Sequence, residues 1–246
     1  MASVPAPPTG LTASGRYGPL VHRSVRHGAI VLIVGTIQFI VAMVITQIGY
    51  GSSYSLSRNY ISDLGAMNCG TFGGIGSIAG HYACSPWHVV FNVSIIVMGL
   101  LVILAVILIR TAFPARRSRT IGLGLLALTG IGAIGVGLSP EDVNITVHSV
   151  SAILAFVGGG LALIVLGFAM FRDTRWDGFR AYTILSGLVD LIALILFLSG
   201  TYLGLGVGGM ERLIVAPVLL WSIVVGIHLA RIPTFAPRAF AKSTAT

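Results

Sequence analysis

Six long apolar runs dominate this chain, at about Gly28 to Ile48, Trp87 to Ile109, Ile121 to Leu138, His148 to Phe171, Tyr182 to Leu203 and Arg212 to Leu229. A helix advances about 1.5 Å per residue, so about 20 apolar residues cross the roughly 30 Å hydrocarbon layer of a bilayer. Inside lipid, each backbone N–H and C=O must be paired within its own segment, which leaves helices as the solution for runs of this length. Composition agrees: 55% of residues are hydrophobic and 9% charged, where a soluble domain carries roughly 25% charged residues. The expected fold class is all-α, a polytopic bundle of six transmembrane helices in the lipid bilayer. The third run is the weakest, being short and rich in glycine (Gly122, Gly124, Gly130, Gly132, Gly135, Gly137), and is expected to lie buried among the others.

Orientation follows from where Lys and Arg fall, because positive loops stay cytoplasmic. One side holds Arg16, Arg23, Arg26, Arg110, Arg116, Arg117, Arg119, Arg172, Arg175, Arg180, Arg231, Arg238 and Lys242; the other holds only Arg58 and Arg212. Both termini are therefore expected in the cytoplasm of a cell whose plasma (inner) membrane the chain spans several times. Residues 1–27 read as a disordered cytoplasmic tail, 28–231 as the membrane domain and 232–246 as a second tail. The net charge of +8 then has an explanation in basic loops facing anionic headgroups, and nucleic acid is not an expected partner.

The segment 50–86 is the one long loop, and the charge count places it outside the cytoplasm. It holds both cysteines, Cys69 and Cys84, with a Gly-rich stretch between them that can turn back on itself. An oxidising compartment favours a disulfide over two free thiols. Ser85-Pro86 looks like a helix start, Ser capping and Pro in the first turn, with His88 and Asn92 following on one helix face. Ser139-Pro140-Glu141-Asp142 reads as a second capping motif, and Glu141 would share a face with His148 if the helix ran unbroken. Asp63, Glu211 and Arg212 lie on the same side.

These outer groups suit a metal, general acid–base work or a lipid headgroup. Asp63, His88, Glu141, Asp142 and His148 are the candidate catalytic residues, with Asn92, Glu211 and Arg212 as candidate substrate contacts; a divalent metal would fall to His88 and His148. The plainer reading stands beside this one. Glu141 and Asp142 would then only cap a helix, Asp63 a turn, the histidines would bond loop backbone, and Arg212 would pair with Glu211 or lipid phosphate. Asp190 lies near the middle of the fifth run, where a carboxylate is costly unless paired, protonated or hydrated.

Other signals carry less. Gly130-x-Gly132-x-x-Gly135 spells a dinucleotide fingerprint, but no strand precedes it, so it reads as helix packing. Asn144-Ile145-Thr146 is a sequon too close to the membrane surface to weigh. A haem between His88 and His148 is disfavoured, and no zincin, nucleophile-elbow or P-loop motif occurs.

The strings Asn59-Tyr60-Ile61-Ser62-Asp63-Leu64-Gly65, Cys84-Ser85-Pro86-Trp87-His88 with Phe91-Asn92, Ser139-Pro140-Glu141-Asp142 with His148, and Gly209-Met210-Glu211-Arg212-Leu213 resemble a bacterial and archaeal membrane family, domain of unknown function 998. The resemblance runs from about Gly28 to Arg231. It is distantly similar to the Frag1, DRAM and Sfk1 group of eukaryotic membrane proteins, which implies a link to lipid handling and membrane stress. It implies a six-helix topology and no particular reaction, and it leaves Asp190 outside its motifs. Two readings remain open: an outer-surface site that binds or acts on lipid headgroups or a metal, and a non-enzymatic regulator, assembly component or small transporter in which the same residues are structural.

Overall fold

A computed structural model describes residues 14–50, 54–72, 81–171 and 173–231, with side chains from residue 23 onward. Its six long helices are α1 (Ser14–Tyr50), α2 (His88–Ile109), α3 (Arg117–Leu138), α4 (Ile145–Ala169), α5 (Phe179–Leu198) and α6 (Gly206–Arg231). Each has a stretch long and apolar enough to cross a membrane. The chain is a multi-pass integral membrane protein. The expected tails at 1–13 and 232–246, and the Gly-rich turn at 73–80, lie outside the described residues.

Every helix packs on its sequence neighbour and α6 closes back on α1, so the six form a ring. Short links make consecutive helices antiparallel. All links but one are brief; the long one, between α1 and α2, marks the loop end of the bundle. Outward positions such as Ile30, Val34, Ile37 and Val41 recur every three or four residues on α1 and are exposed, as a lipid-facing stripe requires.

Small residues set how closely the ring closes. A Cβ added to Gly130 would lie 2.7 Å from the Gly99 carbonyl oxygen, and one on Gly132 would lie 2.6 Å from the Ser151 carbonyl oxygen and the Ala155 nitrogen. α3 therefore fits by glycine contacts between α2 on one side and α4 on the other. It is not buried among the others as its composition suggested: Ile121, Ile131 and Leu138 remain exposed, so its glycines bring two neighbours close and leave an outer face to lipid.

Several helix ends differ from expectation. α1 begins at Ser14, ahead of the apolar run expected from Gly28. α4 is capped by Asn144, whose side chain accepts from the Val147 N–H at 3.1 Å, and not by Ser139. Ser85 does not cap α2 either; its hydroxyl donates to the Leu64 carbonyl at 2.8 Å. α5 stops at Leu198, short of Leu203, because Gly200 and Leu203 both adopt positive φ, 75° and 50°. α6 starts at Gly206, six residues before Arg212.

The loop is a plug. Its short 3-10 turn, Ser62–Gly65, is buried from Asp63 onward, and Ile61 and Leu64 pack with Phe39 and Phe91 at the head of the ring. Beyond it, strands β1 (Gly70–Phe72) and β2 (His81–Ala83) pair antiparallel, with Gly70 opposite Ala83 and Phe72 opposite His81. Cys69 and Cys84, one residue outside that register, form the expected disulfide.

Candidate functional site

Period two along β2 turns His81 and Ala83 towards the bundle and leaves Tyr82 outside, matching their burial. His81 Nε2 lies 2.5 Å from Asp63 Oδ1 and 3.6 Å from Glu141 Oε1. The first is a hydrogen bond; the second is an ion-pair distance, too long for one. One atom from each residue falls within 4.8 Å of the other two, an arrangement that can hold a metal ion. Asp63 is fully buried and Glu141 nearly so, and Glu141 Oε1 has no hydrogen-bond partner.

The surroundings fix both carboxylates. Asp63 Oδ2 accepts from Asn59 Nδ2 at 2.7 Å and from the Tyr60 N–H at 3.1 Å. Glu141 Oε2 accepts from the Ser62 hydroxyl at 3.0 Å. The Tyr60 ring lies against the imidazole, centroids 4.4 Å apart. Burial alone would lower the His81 pKa, but its hydrogen bond to Asp63 and the charge of Glu141 outweigh that and hold it up at about 10. Burial pushes Asp63 above the usual carboxylate range, helped by the neighbouring charge of Glu141 and opposed by His81 and Asn59. For Glu141, burial is outweighed by His81, and its pKa falls below the ordinary value.

Of the residues singled out from sequence, Asp63 and Glu141 belong to this cluster. His148, at the first turn of α4, is buried just below; its Nδ1 faces the Ser139 carbonyl at 3.0 Å. The helix break at Asn144 means Glu141 and His148 do not share a helical face. His88 stays local, its Nδ1 against the Ser85 carbonyl at 2.9 Å. The metal-type cluster is thus built on His81, not on His88 and His148.

The others hold the plug by its backbone. Asn92 Nδ2 donates to the Gly65 carbonyl at 2.9 Å, and a Cβ on Gly65 would come within 2.5 Å of Asn92 Oδ1. Glu211 accepts from the Ile61 N–H. Asp142 takes the N–H groups of Met67 and Asn68, at 3.1 and 2.8 Å. Arg212 does not pair with Glu211: its Nη1 donates to the carbonyls of Leu56, Asn59 and Gly208 at 3.1, 3.0 and 2.8 Å, and its Nη2 to the Tyr54 hydroxyl.

One cavity adjoins the cluster and a second opens beside it. The first, of about 110 Å³, is lined by Glu141 and His81 at its head and by Ile153, Phe156 and Leu194 below, lying between α4 and α5. The other, of about 90 Å³, runs down the middle of the ring to Asp190. They share Ser62, His148, Ala152, Phe156 and Glu211.

The family model described as protein of unknown function, DUF998, matches residues 33–228. The chain belongs to this family. No curated protein and no solved structure matches it. The DUF998 match takes in the plug, the hairpin, the four middle spans and most of the first and last, so the Asp63–His81–Glu141 cluster and both cavities lie wholly within the family region.

Proposed function

We propose that this DUF998 protein is a divalent-metal-binding membrane protein whose site, on the extracytoplasmic side, meets amphiphilic molecules drawn from the adjoining leaflet. The observation that carries the reading is the Asp63–His81–Glu141 triangle at the head of a cavity between α4 and α5. Two carboxylates and one imidazole suit zinc or manganese and leave coordination positions for water or a headgroup oxygen. The cavity walls are apolar, and the flanking Ile145, Ile153 and Leu198 are exposed on the lipid-facing side, which suits an acyl chain below a polar head. The sidedness rests on the basic residues, of which Arg23, Arg26, Arg110, Arg116, Arg117, Arg119, Arg175, Arg180 and Arg231 all fall at the end opposite the plug.

At neutral pH the imidazole is protonated, so metal must displace a proton from His81 before Nε2 can ligate. A bound cation would replace the positive charge that His81 itself supplies between the two acids. It would polarise a phosphoryl or carbonyl oxygen, or lower the pKa of a bound water.

Equilibrium dialysis of detergent-purified protein against zinc tests this. About one equivalent is expected on the wild type, with affinity weakened about tenfold or more in His81→Ala and in Glu141→Gln. Equal or negligible binding by all three proteins would overturn it.

A second reading has its own observation. Asp63 joins the turn to β2 through Asn59, Tyr60 and His81, which is a lock between plug and hairpin in a non-enzymatic component. That reading predicts a lower melting temperature for His81→Gln while the wild type takes up no metal.

A further inference from the structure

Asp190 has no role in the metal reading, yet it is the twelfth residue of the 20-residue α5, deep in the membrane region. Its side chain is 1% exposed, and Oδ1 has no hydrogen-bond partner. It lines the central chamber of about 90 Å³, whose walls come from all six helices. Asp190 reaches the chamber where α4 is bare: a Cβ on Gly159 would sit 3.4 Å from Asp190 Oδ2 and 3.0 Å from Val218. Glu211, also buried, lines the same chamber seven residues before Val218 on α6, hence about 10 Å nearer the plug.

The walls between these acids are Phe39, Phe91, Phe156, Met98 and aliphatic side chains, with no Lys or Arg among the described lining residues. Arg212, next to Glu211 on α6, is committed to the loop carbonyls of Leu56 and Asn59 and to its own helix at Gly208. Among the described lining residues His148 is the one basic group, and it is held by Ser139 at the plug end.

A buried carboxylate in lipid calls for a cation or a proton. A hard metal ion needs about six oxygen ligands, and the walls beside Asp190 offer little beyond the Thr129 hydroxyl, itself bonded to Leu125. An ammonium group asks for less. One carboxylate satisfies its charge, aromatic faces add cation–π attraction, and the alkyl part replaces apolar packing. Size limits the chain: the chamber is smaller than the roughly 150 Å³ that holds a benzene ring, which admits about two to four carbons.

We propose that the central chamber is a binding site for a short alkylammonium ion, its charge paired with Asp190 and its chain packed among the phenylalanines. Glu211 stands on the path from the plug and draws the cation inward. The shared residues Ser62, His148 and Phe156 connect the chamber to the cavity between α4 and α5, which gives the amine a way in. The proposal is independent of any metal at His81.

Isothermal titration of the full chain in detergent with n-propylammonium chloride tests it, with 1-propanol and sodium chloride as controls. Saturable binding of propylammonium is expected, with neither control binding. Asp190→Asn, which keeps shape but not charge, should weaken binding at least about tenfold. Ala155→Leu, one turn from Gly159 and lining this chamber alone, keeps Asp190 but fills the chamber and should abolish binding; it decides the matter if Asp190→Asn does not fold. Absent saturation, binding of propanol as tight as that of propylammonium, or unchanged affinity in a folded Asp190→Asn or Ala155→Leu protein would overturn the proposal.

Discussion

At the scale of single residues, His81 joins the hairpin to both acids of the site. Its pKa of about 10 exceeds the ordinary 6.5, so protonation favours the folded plug. The stabilisation is full below pH 6.5 and disappears as pH rises through about 10. Melting temperatures in detergent from pH 7 to 10.5 should therefore fall more steeply for the wild type than for His81→Gln, and parallel curves would contradict this. The same proton opposes metal, so zinc affinity should rise about tenfold per pH unit between pH 6 and 8; dialysis at several pH values measures the slope. Arg212 acts on structure. Replacing it with Gln takes the guanidinium donor from the two loop carbonyls of Leu56 and Asn59, and a loss of about 1–3 kcal/mol is expected, read from chemical unfolding.

At the scale of elements, the ring depends on helices meeting backbone to backbone. Gly132→Val would drive carbon into the Ser151 carbonyl of α4 and should cost about 1–3 kcal/mol or prevent folding, whereas Gly124→Ala, which meets nothing, should be neutral. The spans were legible because long apolar runs in lipid admit only helices. Their ends were not, since Ser139 and Ser85 look like caps but serve other partners, while Asn144 caps α4 in a stretch read only as a sequon. The outer polar residues were legible as a group, because Asp63, Glu141, Asp142, Asn92, Glu211 and Arg212 do meet around one plug. Their division of labour was not, since it turns on which loop backbone each one reaches. His81 escaped because it sits in a three-residue strand beyond a Gly-rich stretch, where only its position three before Cys84 and the alternation with Tyr82 hinted at an inward face. That strand is tethered by the Cys69–Cys84 disulfide. Reduction should loosen β2, lowering both melting temperature and zinc affinity; unchanged zinc affinity after verified reduction would separate the hairpin from the site.

At the scale of the whole molecule, a ring of six helices closed at one end by its own loop puts every charged group of the site on one side and most basic residues on the other. An impermeant thiol reagent on intact cells should therefore label Met67→Cys, whose side chain is exposed beside the plug, and should label Arg117→Cys only after lysis; the reverse pattern would invert the topology. The plug and hairpin bring Asp63, His81 and Glu141 together, and the proposed role of the three is to ligate metal. X-ray absorption at the zinc edge of the loaded protein tests it most directly. One imidazole nitrogen and carboxylate oxygens are expected at about 2.0–2.2 Å, with the imidazole signal lost in His81→Gln. An imidazole signal that persists in that variant, or a shell without any imidazole in the wild type, would contradict it.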